Sequence, residues 1–590
     1  MNFNDLKKKL KADISGLKKI NIALLGDSPT QLLHIALKGW GVERGYNFNI
    51  YEADYDQINM QITDASSTLY VSQPDYIIIF HSAQKLQSKF YSGPKSEKID
   101  FSSNHIAYLN NLMECIQSNL SKTKIIYCNL PLLDSGVYGN YSNKTNLSFT
   151  YHLRKINTML MDLSMQVKNL FIADIEQLNS FYGKSVTVSP AIYIQSGFVF
   201  SIDFLPTVAK CFTDIILSIE GNFKKCLILD LDNTTWGGVI GDDGIENIEV
   251  GDLGIGKAFT ELQLWAKQLK ERGIILCVCS KNTYEVAIEP FEKHPDMVLK
   301  LEDIAVFVAN WENKADNIRH IQNVLNIGFD SMVFLDDNPF ERNLVRGELP
   351  QVTVPELPSD PAEYLSYLHQ LNLFETATIS EEDSNRTQQY QEESRRVSLK
   401  KAFLNEAEYL QSLDMKAELV SFDKFNAPRV AQLSQRSNQF NLRTVRYTEG
   451  EIFNMSSDQL YDTMAISLKD KYGSYGLIAV IILTKAVEHL FIDTWFMSCR
   501  VLKRGVEKYT LNKIVEVAKR NNIKEIRGEY IPTSKNGLVE NHYSELGFKK
   551  VNASNLWLLN VTEFTPFGIF ISDNENNEKN NFKKKEYEHK

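Results

Sequence analysis

No apolar run in the 590 residues approaches the roughly 18 that a membrane-spanning helix needs. No two cysteines are spaced C-x-x-C, so a structural zinc site lacks its usual ligand framework. The cysteines at 115, 128, 211, 226, 277, 279 and 499 are odd in number and scattered through apolar stretches. That excludes a disulfide framework and suits reduced thiols in a cytoplasm. Basic excess is missing too. Lys and Arg number 64 against 74 Asp and Glu, a net charge of −10, which excludes a dedicated nucleic-acid binder. The first twenty residues lack the apolar core of a secretory signal. There Phe3, Leu6, Leu10, Ile14 and Leu17 predict one face of a basic docking helix.

What is present is an ordinary globular composition, 43% hydrophobic and 23% charged, in a chain long enough for roughly three to four domains. Its focus is the run Leu227 to Leu229, which ends in Asp230 and Asp232. The run reads as a buried parallel strand, and open α/β sheets place ligands at the carboxyl end of such strands. Alternation points both carboxylates to one side, where they repel unless a cation lies between them. Further strand ends carry chemistry: Ile274 to Cys279 leads to Ser280-Lys-Asn282, and Met332 to Leu335 leads to Asp336-Asp-Asn-Pro339. Between them, Trp311-Glu-Asn-Lys314 opens a helix. The D-x-D-x-T pattern with these partners in order resembles the haloacid dehalogenase-type (HAD) phosphatases.

That resemblance implies a Rossmannoid domain over 221–375 with a minimal cap, since only short segments separate the motifs. It implies that Asp230 attacks phosphorus, that Asp232 is the general acid and base, and that Ser280, Asn282 and Lys314 hold the phosphoryl group. It also implies Mg2+ on Asp230, the Asp232 carbonyl, Asp336 and Asp337. Gly328-Phe-Asp-Ser-Met332 matches the pattern at which carrier proteins are pantetheinylated, but Ser331 runs into a strand instead of opening a helix, so it is set aside.

Residues 21–220 read as an earlier α/β domain, with strands at Ile22–Leu25, Tyr76–Phe80 and Ile125–Cys128. Its Gly26-Asp-Ser-Pro-Thr30 resembles the nucleophile turn of SGNH hydrolases. The late D-x-x-H is missing, because Ser201-Ile-Asp-Phe-Leu-Pro206 has Pro206 in the histidine's place. The expectation is a catalytically degenerate three-layer α/β domain with Ser28 structural. Residues 376–415 are polar and predict a connecting helix with solvated charges. Over 416–571, strands at Tyr461–Ser467, Leu477–Leu483 and Leu490–Met497 precede Ser498-Cys-Arg-Val-Leu-Lys-Arg-Gly505 and a helix from about Glu507. This resembles the pyrophosphate loop of GNAT acetyltransferases, which implies a mixed α/β domain with Arg500, Arg504 and Gly505 at coenzyme A or pantetheine. Leu433 to Leu442 reads as loop, His542 as solvent-facing, and 572–590 as a disordered tail.

Together, Asp230-Leu-Asp-Asn-Thr-Thr-Trp-Gly-Gly-Val-Ile-Gly241, Asn310-Trp-Glu-Asn-Lys314, Phe334-Leu-Asp-Asp-Asn-Pro339, Ser437-Asn-Gln-Phe-Asn-Leu442 and Ser498-Cys-Arg-Val501 resemble the FkbH-like family, HAD subfamily IIIC. The resemblance implies removal of phosphate from 1,3-bisphosphoglycerate and loading of the glyceryl unit, as a thioester, onto an acyl carrier protein. Cys499, beside Arg500 and Arg504, is the expected thioester carrier, because cations lower a thiol pKa. Cys226, Cys277 and Cys279 are expected to be inert core thiols. Two other readings remain open: a phosphatase of another phosphorylated metabolite whose C-terminal domain serves recognition or acyl transfer from coenzyme A, and a non-catalytic scaffold.

Overall fold

The computed structural model describes residues 1–574, apart from 134–135, 380–385, 401–402, 404, 438, 534 and 552–553, and apart from the side chains of 393–395, 397–400, 436 and 499. The chain divides into two compact units, Met1–Leu217 and Ser218–Lys590.

The first unit is a parallel sheet of β1 (Lys18–Gly26), β2 (Tyr46–Glu52), β3 (Tyr76–Phe80), β4 (Lys124–Cys128) and β5 (Leu170–Ala173), in the order β2-β1-β3-β4-β5. Every residue of β3 is buried, as a strand covered on both faces requires. The N-terminal helix is shorter than its apolar pattern predicts. It spans Phe3–Lys9, and β1 begins by Lys18, so Leu10 and Ile14 are exposed. Leu6 is fully buried against Gly39 of the helix Gln31–Glu43, where a Cβ would come within 2.6 Å of the Leu6 carbonyl oxygen. The helix docks as expected, over fewer residues.

The second unit begins with β6 (Cys226–Leu229), β7 (Ile275–Ser280), β8 (Ile304–Ala309) and β9 (Met332–Leu335), a parallel sheet ordered β8-β7-β6-β9. Alternation sends Leu227 and Leu229 into the core on one face, and Cys226 and Ile228 into the core on the other. From Asp230 to Ile255 the chain forms one short helix, Ile240–Asp243, as a minimal cap requires.

A connecting helix, Arg386–Lys400, follows. Its charges are not all solvated: Arg396 is buried and forms a two-pronged pair with Asp470, at 3.0 Å for both bonds. The C-terminal sheet comprises β10 (Met415–Val420), β11 (Tyr461–Asp470), β12 (Gly473–Lys485), β13 (His489–Met497), β14 (Glu525–Glu529), β15 (Lys549–Lys550), β16 (Leu556–Asn560) and β17 (Ile571–Asp573). Their order is β15-β16-β14-β13-β12-β11-β10-β17. β10 to β13 pair antiparallel, whereas β13 and β14 are parallel and joined through the helix Val506–Arg520. This is the mixed α/β arrangement the sequence predicts. Two expectations fail. The start of the presumed loop Leu433–Leu442 is the end of an amphipathic helix, Ala427–Arg436, and the tail cannot begin at Ser572, since β17 pairs with β10. Residues 575–590 lie outside the described residues.

Candidate active site

Parallel strands bring their carboxyl ends to one edge, and that edge gathers Asp230 and Asp232 after β6, Ser280 at the end of β7 with Asn282 just past it, and Asp336 and Asp337 after β9. Lys314 joins them from the first turn of the helix Lys314–Leu325, capped by Asn313 Oδ1 accepting from the Ala315 amide at 2.7 Å. The Lys314 ammonium is buried, 2.9 Å from Asp230 Oδ2 and 2.6 Å from Asp336 Oδ2. Burial works to discharge it, but the two carboxylates outweigh burial and hold it above its ordinary value. Burial lifts Asp230 to about 6 against the pull of Lys314, and burial likewise lifts Asp336 and Asp337. Oxygen atoms of Asp230, Asp336 and Asp337 approach within 4.8 Å of one another. Three carboxylates against one ammonium leave a deficit of positive charge, and the donor set is all oxygen, as a hard divalent cation requires.

The Asp232 side chain stands outside that cluster. Its Oδ1 accepts from Trp236 Nε1 at 3.0 Å and from the Ile240 amide at 3.1 Å; its Oδ2 accepts from Asn282 Nδ2 at 2.9 Å. Asn282 Nδ2 also lies 3.2 Å from Ser280 Oγ. One aspartate thus faces the lysine and the cation ligands, while the other is held apart by three donors. Sequence reasoning missed those braces. Trp236 lies fully buried, and Gln263 ties the turn down by donating to the Thr235 carbonyl at 2.8 Å. Thr234 Oγ1 accepts from the Asp337 amide at 3.0 Å, joining the β6 and β9 loops. Arg342 donates to the carbonyls of Asp336 and Asp337, at 2.9 and 2.6 Å. The Thr-Thr-Trp run after Asp232 was the available signal.

The other candidates are elsewhere. Cys499 lies in the turn Cys499–Val501 after β13, and its side chain is outside the described residues. Arg504 donates to the Tyr475 hydroxyl, and Gly505 takes the left-handed φ of +82° that starts the helix Val506–Arg520. The Lys503 amide donates to Glu507 Oε1 at 3.2 Å. One backbone amide of this turn is therefore taken by a carboxylate of the chain itself. His542 is not in solvent. It lies between Phe440 and Trp495, with ring centroids 4.8 and 4.6 Å away, and burial pushes it down to about 3. Cys226, Cys277 and Cys279 are buried, and burial raises the Cys226 and Cys279 thiols, as inert core positions require. In the first unit Ser28 Oγ is buried without a hydrogen-bond partner, so no base reaches it.

The sheet order, the cap and the placement of Asp230 and Asp232 are those of the HAD class of phosphatase folds. Residues 21–217 match the family model described as FkbH, N-terminal domain. The chain is 52% identical to the N-terminal part of a Bacteroides fragilis protein containing a phosphatase domain, solved in complex with Mg. That match covers 64% of this chain and all of the other, with a TM-score of 0.62. The chain belongs to the FkbH-like family. Weaker structural matches include the ribosomal-protein-S18-alanine N-acetyltransferase of Escherichia coli, 12% identical over 25% of this chain and 96% of that one, TM-score 0.20. Another is an IAA acetyltransferase of Bacillus cereus, 18% identical over 23% of this chain and 77% of that one, TM-score 0.17. No curated protein matches the chain. No helix among the described residues is long and apolar enough to cross a membrane.

Proposed function

We propose that the protein is a magnesium-dependent phosphatase that removes phosphate from a phosphoglycerate-type substrate and loads the glyceryl unit, as a thioester, onto an acyl carrier protein. The observation that carries the phosphatase part is Lys314 between Asp230 and Asp336, with Asp232 braced separately. Asp230 attacks phosphorus as the bond to the leaving oxygen breaks, and Asp232 protonates that oxygen. Asp232 then takes a proton from the water that hydrolyses the aspartyl-phosphate. Lys314 balances charge on the phosphoryl oxygens, and Ser280 and Asn282 hydrogen-bond them. Magnesium, held by Asp230, Asp336, Asp337 and the Asp232 carbonyl, supplies further neutralisation of phosphoryl charge.

For loading, a thiol attacks the carbonyl carbon of the acyl phosphate; the carbon–sulfur bond forms as the carbon–oxygen bond breaks and phosphate leaves. Cys499 is the proposed thiol, with a carrier's pantetheine thiol taking the acyl group next. A second reading, phosphatase action on another metabolite, is favoured by the Glu507 carboxylate that already takes the Lys503 amide.

The test is intact mass after incubation with magnesium and enzymatically generated 1,3-bisphosphoglycerate, with phosphate release followed in parallel. Wild type should carry a glyceryl adduct, Asp230→Asn a phosphorylated one, and Cys499→Ala none. Phosphate release without adduct in any variant removes the loading step and leaves the second reading.

A further inference from the structure

β13 and β14 run side by side only as far as Ile492 and Gly528. Past that point β13 continues to Met497 with β12 on its far edge, whereas β14 ends at Glu529. Two parallel strands that part leave a gap lined by backbone amides and carbonyls in need of partners. The chain closes this gap with its own residues 440–442. The Met497 amide donates to the Phe440 carbonyl at 3.1 Å, the Leu442 amide donates to the Trp495 carbonyl at 3.3 Å, and Asn441 forms an antiparallel bridge with Phe496. From the other side, the Ile531 amide donates to the Leu442 carbonyl at 2.9 Å and Asn536 Nδ2 to the Asn441 carbonyl at 3.0 Å. Phe440, Asn441 and Leu442 are all buried. Arg443 staples the point of divergence, 2.6 Å from Asp493 Oδ1 on one side and 2.8 Å from Glu529 Oε2 on the other.

The fit is incomplete in two ways. Asn441 Nδ2, Trp495 Nε1 and His542 Nε2 are buried at this contact without hydrogen-bond partners. Buried polar groups are rarely left so, and each unmet bond costs the closed form stability. Thr444, directly after the inserted residues, has a φ of +56°, a left-handed conformation that a β-branched residue adopts at a cost. Close pairing combined with unmet polar groups and a strained exit marks a segment whose release costs less than unfolding the sheet around it.

We propose that residues 440–442 are an internal stopper. They fill a slot in which an extended chain bearing amide groups can pair with β13, and the slot opens when residues 439–444 swing out while the sheet stays folded. Release bares the Trp495 carbonyl and the Met497 and Ile531 amides, and takes the Phe440 ring away from His542. The C-terminal domain is thus closed along this part of β13 until its own segment is displaced. The motif Ser437-Asn-Gln-Phe-Asn-Leu442 gains a role that its polar composition conceals, and that role holds whatever the carboxylate centre acts on.

Hydrogen exchange on the full chain reads the release. The Leu442, Met497 and Ile531 amides should exchange together, at least tenfold faster than amides in the middle of β12. Arg443→Gln, which removes both ion pairs, should speed all three about tenfold and leave β12 unchanged. Thr444→Gly, which suits the left-handed exit, should slow them about fivefold. A labelled peptide with the sequence of residues 437–444, whose arginine can restore both ion pairs, then probes the slot. It should bind the Arg443→Gln chain saturably and at least tenfold more tightly than wild type, where the tethered copy competes at high effective concentration. Phe440→Ala should act in the same direction, and if it fails to fold, Arg443→Gln still carries both readouts. The proposal is overturned if the three amides exchange only with β12 or at unrelated rates, or if the peptide binds the folded Arg443→Gln chain no better than a scrambled peptide does.

Discussion

Trp236 separates orientation from packing at the level of a single residue. Its ring is buried in the core, and its Nε1 donates to Asp232 Oδ1. Trp236→Phe keeps most of the ring's volume and deletes the donor, so kcat for phosphate release should fall about tenfold, the scale of one hydrogen bond to a charged group, with KM little changed. Steady-state kinetics on a small phosphomonoester checks this. A second effect concerns pH. Burial holds His542 near 3, His81 near 4 and His105 near 3, all below the free value of about 6.5. Between those values the unfolded chain binds protons that the folded chain refuses, so stability is full above about pH 6.5 and is lost as pH falls towards the folded values. Each histidine contributes at most about 1.4 kcal/mol per pH unit. His542→Leu should flatten the fall in denaturant midpoint between pH 6.5 and 4.5 relative to wild type. Asp230, Asp232 and Asp336 were legible in the sequence because they follow apolar strands, and Lys314 because Trp311-Glu-Asn313 marks the helix it opens. Trp236 and His542 were not, because their roles depend on what lies across the fold.

Among the elements, the contact between the first two helices is set by backbone approach. Gly39 faces Leu6 so closely that a methyl group would meet the Leu6 carbonyl oxygen at 2.6 Å and its Cβ at 2.7 Å. Gly39→Ala should therefore lower stability by about 1–3 kcal/mol despite alanine's better helix propensity, as overpacking does. Chemical denaturation of the wild type and variant, with protection of the Leu6 amide from exchange, reads both the cost and its location. The elements legible in advance were those with a strong apolar run and a clear stop: β1, β3, β4, β6, β7 and β9, and in the C-terminal sheet β11, β12 and β13. β8 was missed although all but Phe307 of it is buried, because no catalytic motif followed it to draw attention. The helix Ala427–Arg436 was missed because its apolar residues, Ala427, Val430, Ala431 and Leu433, are few and it also buries Arg429, Gln432, Ser434 and Gln435, which read as loop. The solvated charges expected of Arg386–Lys400 overlooked Arg396, whose acid partner, Asp470, lies at the far end of β11. Long-range pairing of that kind leaves no local trace.

For the whole molecule, the metal centre and the fold are separable. Lys314 already pairs with two of the three clustered carboxylates, so the apo centre keeps a counter-charge of its own. Chelation should stop phosphate release and leave far-ultraviolet circular dichroism unchanged; a parallel loss of secondary structure would make the cation structural instead. The carboxylate centre lies past the carboxyl ends of β6 and β9, on the order of 13 Å of strand from their amino ends. Packed side chains fill both faces between them, so nothing passes through the sheet. A parallel sheet thereby walls off the edge that carries its chemistry, and the residues before its strands can change without disturbing what lies past their ends.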